Sequence, residues 1–278
     1  MTLPDDRRLL LWRPDLADDR LRHLPAARHA APTLHVCASA TTPVHHEPDA
    51  HSQAVSALLY GEGFDVLETR DGWCWGQCRH DGYVGYVAAE TLTLAGIAPS
   101  HRVAAAAAHI FSAASIKSAP VGWLPMGAQV QALDAEPPFL RVGAGFVHAR
   151  TLELRHAFAP DHVAAAQRLV GSPYLWGGRT RAGLDCSGLV QVALAAAGIA
   201  APRDSDQQQV LGVAIDPADG LRRGDLVFLP GHVGIMTDAE TLLHANAWWM
   251  TTLAEPLADV LARQAAAGRP GIVAARRL

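Results

Sequence analysis

A chain of 278 residues, half of them apolar, is longer than one ordinary domain and can fill two or three cores without disulfide or metal staples. Its net charge of −4 comes without a block of like charge, which argues against nucleic acid or an anionic membrane as a partner. The four cysteines, Cys37, Cys74, Cys78 and Cys186, include no Cys-x-x-Cys, which argues against a disulfide framework or a zinc ribbon.

At the N-terminus, Asp5 and Asp6 precede Arg7 and Arg8, and four apolar residues follow in a row. That pattern suits neither a signal peptide nor a membrane span, so the expected location is the cytoplasm, where thiols stay reduced. Residues 1–31 read as a polar N-terminal extension with a short helix from Ala17 to Leu24 lying on the surface of something else. The histidines between His23 and His51 read as solvated loop residues.

From Leu34 the chain turns to short alternating runs broken by Pro, Gly and Asp, the texture of small all-β units. Gly63-Phe-Asp-Val66 followed by Asp81-Gly-Tyr-Val-Gly-Tyr-Val-Ala-Ala-Glu-Thr-Leu92 is echoed by Gly127-Ala-Gln-Val130 followed by Ala144-Gly-Phe-Val-His-Ala-Arg-Thr-Leu152. Two such copies suit two small barrels in tandem, over residues 32–96 and 97–155. Cys74 and Cys78 share a strand face. With His80 they still fall short of the four ligands a closed zinc site takes, so they read as core cysteines and no metal is expected. Of Trp73, Trp75, Tyr83 and Tyr86, strand alternation sends about half to the core and leaves the rest to line a groove.

Residues 156–278 read as an α+β domain. A helix is expected over Asp161–Val170, strands over Asp225–Leu229, His232–Met236 and Thr241–Ala245, a helix over Leu257–Ala266 and a last strand over Gly271–Ala274. Between them lies the stretch from Gly171 to Gly188, with five glycines and a proline, emptying into the helix-forming run Leu189–Ala197. Cys186 thus sits where a constrained loop becomes a helix. Unpaired first-turn N–H groups and the positive end of the dipole favour a thiolate there, the setting of a cysteine nucleophile. Such a nucleophile needs a base and the base an orienting partner; His232, after the Pro230-Gly231 turn, and His244, in the next strand, are the candidates.

Tyr174-Leu-Trp-Gly-Gly, Leu184-Asp-Cys-Ser-Gly-Leu-Val190, Arg203-Asp-Ser205, Arg223-Gly-Asp-Leu-Val-Phe228, Gly231-His-Val-Gly-Ile235 and Leu243-His-Ala245 occur in the order and spacing of the NlpC-type cell-wall peptidases. The chain from about residue 156 onward resembles this papain-like family, and Gly82 to Val87 resembles the tail of bacterial SH3 domains. Together they resemble the YkfC-like subgroup, which is similar to γ-D-glutamyl-L-diamino acid endopeptidases. The resemblance implies a multidomain fold of two SH3-like barrels followed by a papain-like cysteine peptidase domain. It implies a murein peptide substrate and no cofactor. Cys186 would attack the γ-linked D-Glu carbonyl, with His232 as general base, His244 as its orienter, and the Cys186 N–H in the oxyanion hole. Tyr174, Asp185, Ser187, Asp204, Ser205 and Tyr83 would hold the L-Ala-γ-D-Glu end. The subgroup also sets an acid from the first SH3 loop against the free L-Ala amine, and Glu47 and Asp49 lie in that loop. An aromatic wall of Tyr83 with Trp73 or Trp75 would close the site. A papain-like acyltransferase or amidase, and a wall-binding protein with an inert peptidase domain, are the alternatives.

Overall fold

The computed structural model describes residues 6–278; Met1 to Asp5, with part of the expected N-terminal extension, lie outside them. Contacts divide the chain into two compact units, one of residues up to 103 with 107–155, the other of 104–106 with 156–278.

Within the first unit, a seven-stranded antiparallel sheet runs in the order Ala54–Leu59, Thr41–His45, Val84–Ala88, Trp73–Cys78, Gly63–Arg70, Thr33–Cys37 and Leu92–Leu94. Alternate residues of these strands point inward, and Val44, Leu58, Phe64, Cys74, Cys78 and Val87 form the core. Cys74 and Cys78 are therefore packing residues on one face. His80 and Asp81, on the following turn, gather with Cys78 so that one donor atom from each lies within 4.8 Å of the others, and Cys74 is not among them.

Residues 101–154 build a second β core from Val103, Leu124, Val130, Val142, Val147 and Leu152. It is wrapped by a five-stranded and a three-stranded sheet. The repeated segments fold alike: Val84–Ala88 and Gly145–His148 are each followed by a 3₁₀ turn and a three-residue strand. In each turn a threonine hydroxyl, Thr91 or Thr151, donates to the carbonyl three residues back. The two cores meet where the Gln129 N–H donates to the Tyr60 carbonyl oxygen at 2.8 Å. A Cβ at Gly61 would lie 2.1 Å from the Gln129 carbonyl oxygen, and its φ of +78° favours glycine as well.

The helix expected over Ala17–Leu24 does not form. Ala17–Asp18 instead pairs in parallel with His29–Ala30, and only Asp19–Leu21 makes a 3₁₀ turn. Buried Asp18 accepts the Arg20 N–H, the local side-chain-to-backbone bond that competes with helix. What holds the segment is packing: Leu11 and Leu16 are buried against Trp75, and the Arg13 guanidinium lies 4.1 Å from that ring's centroid while reaching Tyr86 and Glu68. The extension is thus a strap over the first sheet's aromatic face.

The second unit is a six-stranded antiparallel sheet in the order Val213–Ala214, Ala274–Arg277, Leu226–Leu229, His232–Met236, Thr241–Asn246 and Thr251–Pro256. The helix Cys186–Ala196 packs on the fourth and fifth of these strands, His232–Met236 and Thr241–Asn246. Leu257–Ala266 is helical as expected, and Asp161 caps a shorter helix, His162–Gln167. The last strand is Ala274–Arg277 rather than Gly271–Ala274, because its register is fixed by pairing with Leu226–Phe228. Among the described residues no helix is long and apolar enough to cross a membrane.

The strap yields a test. Leu16→Ala, at a site 1% exposed, is expected to destabilise the first unit by about 2–5 kcal/mol, read as a lower denaturation midpoint with earlier exposure of tryptophan fluorescence.

Candidate active site

The loop Gly171–Asp185 is knitted to the helix start by one carboxylate. Asp185 is the N-cap: its Oδ1 accepts the Gly188 N–H at 2.7 Å, and its Oδ2 accepts the Gly177 N–H at 2.8 Å. Arg203, 1% exposed, donates to both oxygens, Nη1 to Oδ1 at 2.9 Å and Nη2 to Oδ2 at 2.6 Å, and Nη1 also reaches the Ser187 Oγ at 2.9 Å. Ser187 Oγ in turn donates to Asp185 Oδ1 at 3.3 Å. A Cβ on Gly188 would lie 2.2 Å from the Gly178 carbonyl oxygen, so the first turn and the loop approach at a distance that demands glycine. Cys186 is thereby held as the first helical residue.

His232 opens its strand directly after the Pro230-Gly231 hairpin, with Leu229 and His232 paired across it. Its neighbour Val233 points its backbone N–H at the Cys186 sulfur, which places the thiol beside the histidine strand. His232 Nε2 lies 2.8 Å from His244 Nδ1, and His244 is fully buried. His244 Nε2 then meets Glu255 Oε1, also at 2.8 Å. No local pattern around Glu255 marks it in the sequence. It comes into reach because the strand Thr251–Pro256 pairs with Thr241–Asn246, setting Glu255 two residues along from the partner of His244.

Burial pushes the Cys186 thiol up to about 11, with the negative Asp185 adding to it; the Val233 N–H, Arg203 and the Ser187 N–H pull the other way and lose. Burial, and then His244, push the His232 imidazole down to about 3, against the pull of Glu255. His244 is likewise lowered by burial, against Glu255. Burial therefore disfavours the charged forms of the thiol and of both imidazoles. It acts against the thiolate that the helix terminus favours: the terminus supplies only partial charge, whereas desolvation acts on the whole charge.

Over residues 171–254 the chain matches the NlpC/P60 family, and over residues 44–92 the bacterial dipeptidyl-peptidase SH3 domain. The chain carries an NlpC/P60 domain behind a bacterial SH3 domain. It is 25% identical over 224 residues to the dipeptidyl-peptidase 6 of Lysinibacillus sphaericus, covering 72% of this chain and 83% of that one. It is 33% identical over 95 residues to the γ-D-glutamyl-L-lysine dipeptidyl-peptidase of Bacillus cereus, a match that spans 34% of this chain and 28% of that relative. The fold is that of a crystal structure of an NlpC/P60 family protein from Bacillus cereus, with a TM-score of 0.73 at 18% identity, over 88% of this chain and 99% of that one.

Within the NlpC/P60 domain the structure brings Tyr174 near Cys186: burial raises its phenol to about 12, and Cys186 and Asp185 both act on it. Asp204 and Gln207 form a capping box on the short helix Ser205–Gln208, and Gln208 Nε2 donates to the Ser187 carbonyl oxygen at 3.0 Å. Asp185 and Ser187 are buried and bonded to Arg203; with five donors on its two oxygens, Asp185 builds the loop and has no lone pair left for a ligand. In the SH3 unit, Glu47 and Asp49 are exposed on the turn after Thr41–His45. Tyr83 is 6% exposed within the core cluster, and Trp75 is 4% exposed beneath the strap, so the expected wall of Tyr83 with Trp75 is not an open aromatic face. Trp73 is half-buried, edge-on to His45.

Two outcomes follow from this geometry. Iodoacetamide should label Cys186 slowly at pH 6, the rate climbing with pH toward the thiol's titration near 11, since deprotonation limits it. A fast plateau already at pH 6 would mean a resting thiolate. Arg203→Met should destabilise the domain by about 3–5 kcal/mol, measured by denaturation, because it strands Asp185 as a buried unpaired charge.

Proposed function

We propose that the protein is a cysteine peptidase that hydrolyses the bond between γ-D-Glu and the diamino acid of short peptidoglycan peptides bearing a free N-terminal L-Ala. The observation that carries this reading is Cys186 at a helix N-terminus beside the hydrogen-bonded pair of His232 and His244. In this reading the Cys186 thiol gives its proton to His232 as sulfur attacks the γ-carbonyl of D-Glu. The carbonyl oxygen takes the negative charge, met by the Cys186 N–H. His232 then hands the proton to the departing diamino-acid amine, and water, activated by the same imidazole, splits the thioester and regenerates the thiol. The burial that favours an uncharged thiol and imidazole suits this sequence, since proton transfer then accompanies C–S bond formation.

The names of the relatives support the bond chosen, as one is a γ-D-glutamyl-L-lysine dipeptidyl-peptidase and another a dipeptidyl-peptidase. Removal of a dipeptide from a free end requires recognition of the amine, and Glu47 and Asp49 are the acids offered by the SH3 unit, with Tyr83 the aromatic that the resemblance adds to them. Tyr174, Asp204 and Ser205 supply the substrate contacts within the peptidase domain, while Asp185 and Ser187 hold Cys186 in place. The second β unit is a diverged copy of the first, giving domains at 32–96, 97–155 and 156–278 behind an extension of residues 1–31. In this reading the enzyme acts in the cytoplasm, on soluble peptides released by wall turnover. The strap over Trp75 weighs against the first sheet's aromatic face being a docking groove for wall polymer.

The test is incubation of the full chain with L-Ala-γ-D-Glu-diaminopimelate and its N-acetylated form, with products read by mass spectrometry. Release of L-Ala-D-Glu is expected, lost in Cys186→Ala and His232→Ala. N-acetylation, and whichever of Glu47→Gln or Asp49→Asn removes the amine's partner, should cost about tenfold to a hundredfold in kcat/KM, the equivalent of a charge-assisted contact of about 1.5–3 kcal/mol. Equal cleavage of both peptides by the unaltered chain, Glu47→Gln and Asp49→Asn would assign the protein to polymer-cutting peptidases instead.

A further inference from the structure

The line of hydrogen bonds that begins at His232 does not end at His244. Glu255 closes it, and Arg263 of the helix Leu257–Ala266 donates to the Oε1 that meets His244. Asn246 Nδ2 donates to Oε1 as well, at 3.2 Å, and the Trp249 indole N–H donates to Oε2 at 3.3 Å. We infer that Glu255 is a positioning residue of the peptidase site, acting through His244 to decide which nitrogen of His232 carries the proton, so that Nδ1 of His232 is the base for Cys186. The inference rests on Cys186 and His232 being nucleophile and base.

Donor and acceptor rules carry the argument. An ionised carboxylate only accepts, so His244 donates from Nε2. A neutral imidazole that donates from Nε2 accepts at Nδ1, so the 2.8 Å contact must be filled by an N–H at His232 Nε2. Neutral His232 is then left with its lone pair on Nδ1. Asn246 offers His244 no alternative acceptor, because its Oδ1 is engaged by the Trp248 N–H at 2.6 Å, which turns its NH₂ toward His244 and Glu255.

The chain of tautomers works only while Glu255 is ionised and both rings are neutral, and the surroundings meet both conditions. Although burial would raise the Glu255 carboxyl, Arg263 and His244 hold it below the usual carboxylate range. A bare carboxylate there would draw a second proton onto His244. That cation would donate from both nitrogens, turning the His232 contact around and stranding a proton on Nδ1 of the base. Arg263 offsets the charge of Glu255 and helps to keep His244 neutral. The charged and titratable groups acting on His244 are thus Glu255 and Arg263, with His232 on its other side. When His232 takes the Cys186 proton, the same carboxylate favours the imidazolium that forms.

The test reads the tautomer itself. In ¹H–¹⁵N spectra of the full chain carrying ¹⁵N-histidine, assigned with His232→Ala and His244→Ala, native His232 is expected to show a pyrrole-type Nε2 and a pyridine-type Nδ1 near neutral pH. In Glu255→Gln the amide offers both a donor and an acceptor, so this pattern should be lost. The rate of Cys186 alkylation should fall, and kcat should drop on the order of a hundredfold with KM within about twofold, less than for a carboxylate that touches the base directly, because Glu255 acts through His244. Neither spectrum nor alkylation needs a substrate, so both stand or fall apart from the choice of γ-D-Glu bond. A native His232 protonated on Nδ1 would overturn the proposal, and so would a Glu255→Gln protein that melts earlier yet keeps its tautomers and alkylation rate. Should Glu255→Gln fail to fold, the native spectrum alone decides.

Discussion

The buried ion pair of Asp185 and Arg203 is the constraint on which the catalytic half of the molecule depends. One carboxylate caps the nucleophile helix, ties the glycine loop through Gly177 and anchors a guanidinium from the segment that follows. Neither partner is worth burying alone, since an uncompensated charge in the interior costs several kcal/mol. Because five donors converge on two oxygens, the loop, the helix start and the Arg203 segment can be assembled in only one way, and Cys186 inherits that rigidity. The close approach of Gly188 to Gly178 completes it from the other side.

That rigidity is gained by burial, and burial sets the electrostatics. A sulfur lodged between a helix start and a sheet loses more by desolvation than it gains from the helix dipole, so burial favours the thiol. Burial favours the neutral imidazole of His232 for the same reason. A thiol favoured in this way is less open to adventitious alkylation and oxidation than a thiolate.

Two carboxylates do opposite work in the domain. Asp185, bonded to Arg203, is consumed in structure and acts on Cys186 unfavourably by its charge. Glu255, bonded to Arg263, is spent on orientation and lies at the far end of two imidazoles. In both cases an arginine offsets the charge, so that the carboxylate contributes directional acceptors rather than a strong field.

Much of the chain's plan was legible in the residues. Cys186 before a run of helix formers, His232 after Pro-Gly and the helix Leu257–Ala266 are all local patterns, written by backbone chemistry within a few residues. The repeat that folds Ala88–Leu94 and His148–Leu154 alike is also local, since each depends on one threonine hydroxyl and a 3₁₀ turn. What depended on long-range packing was not legible. The segment Ala17–Leu24 has helical composition but follows the groove it fills beside Trp75, and the last strand takes its register from Leu226–Phe228. Glu255 lies eleven residues beyond His244, and only the pairing of their strands brings the two together. The burial that opposes a Cys186 thiolate was not legible for a related reason: a helix terminus can be read from neighbours in the chain, whereas desolvation is a property of everything that closes over the sulfur. Sequence by itself marked Cys186, His232 and His244; tertiary structure alone brought Glu255 to His244 and set how strongly burial acts on each group, because both depend on partners that the chain supplies from far away.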